Sequence, residues 1–407
     1  MQELHDDTPL DDSPVPLTNP REGVPDLVDT DAGVAQVAAA LTAGHGPIAI
    51  DTERASGFRY SGRAYLIQLR RSGAGSFLVD PIGIDDLAPL REVLTGPEWI
   101  LHAASQDLPC LTELELHPSK LFDTELAARL CNFERVGLAP LTKQLLGYEL
   151  EKQHSAADWS SRPLPHDWLV YAALDVELLI ELRELLVAEL KEQGKSEWAA
   201  EEFAYVATAP PPPPRPQPWR RTSGIHKVRG ARALSRVRAL WEARDELAQD
   251  LDRAPSKLLT DAAIVEAATA DPTDYSELMS LGSMRRRGKA HARLWLSALA
   301  KARKLPNSQL PPTTPPQDGP PATHRWSDRF PDAAERLAAS RAVVLQEAQT
   351  HSLPPENLIA PAAVRALAWQ PPHQISPEAV AQLLKSNNAR NWQVELLADK
   401  LCAALRP

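Results

Sequence analysis

Ile48-Ala49-Ile50-Asp51-Thr52-Glu53 sets three apolar residues directly before two carboxylates spaced i and i+2. A short apolar run of this kind reads as a buried strand, and on a strand that spacing turns both carboxylates to one face. Two further runs follow, Ala64 to Leu69 and Phe77 to Val79. Ser72-Gly73-Ala74-Gly75 joins them as a hairpin turn and not as a phosphate loop, because no helix follows it. Beyond them the patterns alternate. Leu87 to Leu94 reads as helix, Trp99 to Ala103 as strand and Asp107 to Leu116 as helix; Asp123 opens another helix, and Trp168 to Leu190 reads as one long helix. Antiparallel strands first and strand–helix units afterwards predict a mixed sheet flanked by helices.

The rest of the 407 residues divides around this unit. Residues 1–31 carry nine acidic side chains against Arg21 alone and read as a disordered acidic arm. The α/β unit is expected over 32–207, a proline-rich linker over 208–221 and a helical module over 222–305. A second proline-rich linker over 306–323 then leads to another helical module over 324–407. The two modules form a repeat at an offset of about one hundred residues: Pro255-Ser-Lys-Leu258-Leu259 with Ala262-Ala263-Ile264 aligns with Pro355-Glu-Asn-Leu358-Ile359 with Ala362-Ala363-Val364. Only the first copy is strongly basic, with Arg285-Arg286-Arg287 beside Lys289 and Arg293. That patch is either a solvated face or a nucleic-acid footprint.

Composition excludes several classes. The net charge of −10 argues against a uniformly basic nucleic-acid coat. Cys110, Cys131 and Cys402 are odd in number and widely spaced, which excludes a disulfide scaffold and a cysteine zinc knuckle and fits a reducing cytoplasm. The first residues have neither a basic nor an apolar signal region, and no apolar run is long enough to span a membrane. No G-x-x-x-x-G-K-[ST] occurs, so an ATP-driven motor is not expected.

The chemistry is carried by residues far apart in the chain. Asp107 lies just past an apolar strand, where open α/β sheets present functional groups. Tyr171 and Asp175 stand i and i+4 on a predicted helix and share a face. Four carboxylates converging on one cleft repel unless cations hold them, and oxygen-only donors suit Mg²⁺ or Mn²⁺. Two such ions about 3.5–4 Å apart are a known device for phosphodiester hydrolysis. Tyr171 is placed to orient the attacking water.

With those motifs in order, the chain resembles the DEDDy branch of 3′–5′ exonucleases, and within it the ribonuclease D family. The matching stretches are Ile50-Asp51-Thr52-Glu53, His102-Ala-Ala-Ser-Gln-Asp107-Leu and Tyr171-Ala-Ala-Leu-Asp175, with Phe122-Asp123-Thr124 and the segment from Lys152 to Leu164. The resemblance implies a ribonuclease H-like α/β exonuclease domain followed by two all-α modules of the helicase-and-RNase-D C-terminal (HRDC) type. It implies Asp51, Glu53, Asp107 and Asp175 as ligands of two divalent cations, Mg²⁺ or Mn²⁺, and Tyr171 as the water-positioning residue. The implied activity releases nucleoside 5′-monophosphates from RNA 3′ ends, on tRNA precursors or other structured RNA, by a monomer that needs neither ATP nor a membrane. A DNA-directed exonuclease and a non-catalytic RNA-binding scaffold are the competing readings.

Further candidates for RNA contact are Thr52, Lys152, Asp158, Trp159 and Arg162, with Arg285, Arg286 and Arg287 in the basic module. Lys152, Asp158, Trp159 and Arg162 serve equally well as a structural clamp. Asp123 reads as a helix N-cap, and Trp241 and Trp295 as core.

Overall fold

The computed structural model describes residues 13–150, 156–211, 213–314 and 319–406. Strand β1 (Val15–Leu17), strand β2 (Leu27–Val28) and helix α1 (Asp31–Ala43) come first. Strands β3 (His45–Arg54), β4 (Ala64–Ser72) and β5 (Gly75–Val79) follow, then α2 (Ala88–Leu94), β6 (Glu98–Leu101), α3 (Leu108–Glu113), β7 (Lys120–Asp123), α4 (Thr124–Leu130), α5 (Leu138–Leu146) and β8 (Tyr148–Leu150). Helices α6 (His166–Glu177), α7 (Leu179–Glu192) and α8 (Ser196–Thr208) complete the α/β unit. Six strands form one mixed sheet in the order β2-β5-β4-β3-β6-β7, antiparallel at β3–β4 and β4–β5 and parallel elsewhere.

Alternation along the central strands decides what each face buries. Ile48, Ile50, Ile67, Leu69 and Val79 point to one side, where α1 and α2 supply Val34, Val37, Leu41, Leu90 and Leu94. Ala49, Leu66 and Leu78 point to the other, toward Ala172, Ala173 and Val176 of α6 and Leu179 of α7. Asp51 and Glu53, in phase with Ala49, therefore face α6. The hairpin joining β4 to β5 turns through Gly73 and Gly75 at φ 78° and 89°, the left-handed region that glycine enters without strain.

Two expectations are corrected. The segment from Trp168 to Leu190 is not one helix, because it breaks at Leu178 (φ −110°, ψ 3°) into α6 and α7. A straight rod cannot follow the twisted sheet, and the break lets α6 cover β3, β4 and β5 while α7 reaches β6 and α4. Residues 13–31 are not a disordered arm. β1 pairs in parallel with β8 and β2 in parallel with β5, while residues 1–12 lie outside the described residues. The lone cation there supplies the anchor. Arg21 reaches Glu177 and Glu181, each at 2.6 Å, and Glu177 is fully buried at the end of α6.

The first helical module comprises α9 (Ala231–Asp250), α10 (Pro255–Leu258), α11 (Asp261–Ala270), α12 (Tyr275–Ser280), α13 (Met284–Arg287) and α14 (Ala292–Arg303) around its own core, in which Trp219 and Trp295 are buried. The second comprises α15 (Trp326–Arg329), α16 (Pro331–Thr350), α17 (Pro355–Leu358), α18 (Pro361–Trp369), α19 (Pro377–Ser386) and α20 (Asn391–Leu405). The sequence repeat is a structural one. Arg236 Nε donates to the Ala268 carbonyl at 2.7 Å, and Arg336 Nε to the Ala368 carbonyl at 2.9 Å, one hundred residues on. Within the proline-rich segments, Pro212 and residues 315–318 lie outside the described residues.

Both modules dock on the α/β unit by the same corner, the turn after their first long helix. In the first, Asp252 accepts from the Ser61 amide at 2.8 Å, and the Ala254 amide donates to the Phe58 carbonyl at 2.9 Å. In the second, the Ser352 carbonyl accepts from Lys195 Nζ at 3.0 Å. The second interface is the more buried. Glu202 Oε1 accepts from Arg390 Nε at 2.7 Å, from the Trp392 indole at 3.0 Å and from Gln393 at 3.2 Å, while Trp198 stacks on Trp392 at 4.8 Å. Among the described residues no helix is long and apolar enough to cross a membrane.

Removing the Glu202 carboxylate leaves three donors without their acceptor, one of them a mostly buried guanidinium. Glu202→Ala is expected to lower unfolding free energy by about 3 kcal/mol. Chemical denaturation followed by tryptophan fluorescence measures it. A change within error would show that the interface does not depend on this group.

Candidate active site

Three separate elements bring the predicted carboxylates together. Asp51 and Glu53 come from β3, Asp107 from the turn after β6, and Asp175 from α6, one helical turn beyond Tyr171. All five line a cavity of about 240 Å³ with Thr52, Arg54, His102, Gln106 and Leu138. Carboxylate oxygens of Asp51, Glu53 and Asp175 lie within 4.8 Å of one another.

Asp107 is set by a turn that the sequence would not choose alone. Ala103 adopts a left-handed φ of 62°, which costs a residue with a Cβ about 1–2 kcal/mol. Asp123 holds that turn: its carboxylate accepts from the Ala103 and Ala104 amides at 3.1 and 2.9 Å, and also from the Glu125 and Leu126 amides that open α4. The N-cap reading of Asp123 is correct but incomplete, because the same group braces the Asp107 turn. Thr52 Oγ1 then donates to Asp107 Oδ1 at 2.6 Å, so its hydroxyl orients a carboxylate.

Burial and like charge act together here. Desolvation is the largest influence on all four carboxylates and raises each: Glu53 to about 9, Asp175 to about 7, Asp107 to about 6, and Asp51 well above the usual range. Neighbouring carboxylates push Asp51, Glu53 and Asp175 further the same way. Tyr171 is driven far above the ordinary phenol value by burial and by Asp175, Glu53 and Asp51, and its hydroxyl hydrogen-bonds Asp175. It stays protonated. His102, bonded to Thr124 Oγ1 at 2.9 Å, is lowered to about 4 by burial and stays neutral. A cluster that takes up protons for lack of counter-charge, with oxygen donors only, fits hard divalent cations.

The other candidates do not join this cavity. Trp159 is fully buried against Tyr65, Leu66, Leu78 and Ala172, so its ring offers no face to a base. Arg162 makes a two-pronged ion pair with Asp80 at 2.6 and 2.8 Å and donates to the Trp159, Ser161 and Tyr65 carbonyls. Asp158 caps the same turn through Ser160. These three are the structural clamp that positions α6. Lys152 lies outside the described residues. Arg285, Arg286 and Arg287 are exposed on the first helical module. Arg54, which lines the cavity, was missed because strict alternation sends it to the face opposite Glu53.

Known proteins resemble this chain in sequence and fold. A family model described as 3′-5′ exonuclease matches residues 25–191, one described as HRDC domain matches 233–299, and one described as 3′ to 5′ exonuclease C-terminal domain matches 319–405. Ribonuclease D of Gluconacetobacter diazotrophicus is 34% identical over 67% of this chain and 71% of its own length. Ribonuclease D of Escherichia coli is 28% identical over 92% of this chain and 96% of its own length. Among solved structures, a protein from Bifidobacterium adolescentis is 40% identical with a TM-score of 0.89, covering 97% of this chain and 100% of that one. Escherichia coli RNase D, described as an exoribonuclease involved in structured RNA processing, superposes with a TM-score of 0.66 at 26% identity, over 89% of this chain and 99% of its own. Sequence, domain order and fold thus agree that the chain belongs to the ribonuclease D family of 3′–5′ exonucleases.

Proposed function

We propose that the enzyme removes nucleoside 5′-monophosphates from RNA 3′ ends with the help of two divalent cations, Mg²⁺ or Mn²⁺, on tRNA precursors or other structured RNA. The observation that carries this reading is the meeting of Asp51, Glu53 and Asp175 within 4.8 Å, with Asp107 and Tyr171 in the same cavity. Asp51, Glu53, Asp107 and Asp175 would hold the ions. Bound there, divalent cations supply an activated water and neutralise charge on the leaving oxygen of a phosphodiester. Tyr171, kept protonated by its surroundings, orients the water through its hydroxyl and is not the base. Asp175 holds that hydroxyl from the next turn of α6.

RNA binding is assigned in part to Arg285, Arg286 and Arg287. The Arg287 guanidinium donates to the Ser256 carbonyl, and the adjoining Lys257 ammonium lies 4.6 Å over the Phe58 ring of the α/β unit. The basic cluster therefore sits at the end of the module that docks beside the loop following β3. Three free, buried cysteines accord with a reducing cytoplasm.

Measurements of turnover, affinity and stability test this reading. Replacing Asp51, Glu53, Asp107 or Asp175 singly with Ala is expected to reduce nucleotide release from 5′-labelled RNA at least a thousandfold, on the order of 4 kcal/mol of barrier. Tyr171→Phe should lower kcat with little change in RNA affinity. Because the folded carboxylates titrate above their unfolded values, the ion-free protein should lose stability as pH rises from about 5 to 9. Any carboxylate variant with near-wild-type turnover would remove that residue from the set, and equal rates on DNA would remove the RNA assignment.

For the basic module, changing Arg285, Arg286 and Arg287 together to Gln should weaken binding to a tRNA-like precursor. The slope of log affinity against log salt should fall by roughly 2–3, while hydrolysis of short single-stranded RNA is kept. An unchanged slope would mean that the triplet is only a solvated surface.

A further inference from the structure

Arg54 is the last residue of β3, and its placement departs from the strand's alternation. Glu53 pairs with Leu66 but Arg54 with Ala64, so Tyr65 is an extra residue on β4. A bulge of this kind re-aims the side chains around it. Arg54 thereby lines the same cavity as the carboxylates. With His102 neutral, it is the one positively charged group among the described lining residues. Its charge acts on Glu53 and Asp107, whereas Tyr171 is surrounded by Asp175, Glu53 and Asp51. The two side chains thus reach the cavity from different elements, Arg54 from the end of β3 and Tyr171 from α6.

Several other arginines of the α/β unit are committed. Arg21 and Arg70 pair with Glu177, Arg162 with Asp80 and Arg183 with Glu98. Arg54 is half-buried yet forms no hydrogen bond or ion pair with any described residue. A guanidinium held at a polyanion-binding cavity without a protein acceptor is suited to a phosphate, which it can meet with two parallel hydrogen bonds.

Resting on the exonuclease-site reading above, we propose that Arg54 grips the RNA phosphate immediately 5′ to the scissile one. Displacement at phosphorus is in line, so attacking water and leaving 3′-oxygen lie on opposite sides of the phosphorus. With Tyr171 orienting the water from α6, Arg54 at the end of β3 is the cavity's cation left to meet the chain attached to the leaving oxygen. The first phosphate reached along that chain is the one upstream of the bond being cut. This contact fixes the register of the 3′ end, so that one nucleotide projects past the carboxylates.

The test uses the full-length protein in Mg²⁺ and RNA oligonucleotides carrying one uncharged methylphosphonate, placed one or three linkages upstream of the scissile bond. In the wild type the nearer substitution should raise KM about tenfold, as expected for losing one charge-assisted contact, and the farther one should not. Arg54→Ala should raise KM on all-phosphate RNA by a similar factor, leave kcat nearly unchanged and abolish the penalty of the nearer methylphosphonate. Arg54→Lys, which keeps charge without the planar fork, should fall between them and guards against a folding defect in the alanine variant. If the nearer methylphosphonate penalises Arg54→Ala as much as wild type, the inference is wrong and Arg54 only tempers the carboxylates. Asp51→Ala separates the two claims: release by that variant would overturn the site reading itself, whereas a dead Asp51→Ala with an unaltered methylphosphonate penalty overturns Arg54 alone.

Discussion

Holding four carboxylates against their own repulsion is the constraint on which the α/β unit depends. In isolation Asp51, Glu53, Asp107 and Asp175 would separate or take up protons, and their raised proton affinities record that cost. The fold answers by fixing each from behind. β3 is a central strand whose opposite face is closed by Ile48 and Ile50. The turn bearing Asp107 is braced by Asp123, which accepts from two amides of the turn and two of α4, and by Thr52. α6 is pinned at its end by Glu177 on Arg21 and Arg70, and along its length by buried Trp159.

The same logic accounts for charged groups remote from the cavity. Arg21 and Arg162 each join distant segments to an element that carries a site residue. Arg21 ties the chain before β2 to α6, and Arg162 ties the segment before α6 to the Asp80 turn after β5. The helical modules extend the scaffold outward. Both use one corner of a repeated fold, the first against the loop after β3 and the second against α8 and Lys195. The first placement sets a basic cluster beside the strand that supplies Asp51 and Glu53; the second closes a core continuous with that of the α/β unit.

What was legible in the sequence follows from range. The i, i+2 carboxylates on β3 and the i, i+4 pair on α6 are local periodicities, and the repeat at one hundred residues is a local pattern occurring twice. All three are found in the structure. The break at Leu178 was hidden because the apolar pattern runs through it, and only the twist of the sheet requires it. Residues 13–31 looked disordered by charge, yet Arg21 and β2 find partners more than fifty residues away. Trp159 read as either an RNA contact or a clamp, and packing with Tyr65, Leu66 and Ala172 makes it part of the clamp. Arg54 was invisible because its direction depends on one slipped residue in the neighbouring strand.

The central claim is that the carboxylates converge to bind a pair of cations, and anomalous diffraction from crystals grown with Mn²⁺ tests it most directly. The account predicts two anomalous peaks about 3.5–4 Å apart, within coordination distance of Asp51, Glu53, Asp107 and Asp175. Crystals that hold Mn²⁺ elsewhere on the surface but show no peak among these four residues would contradict it.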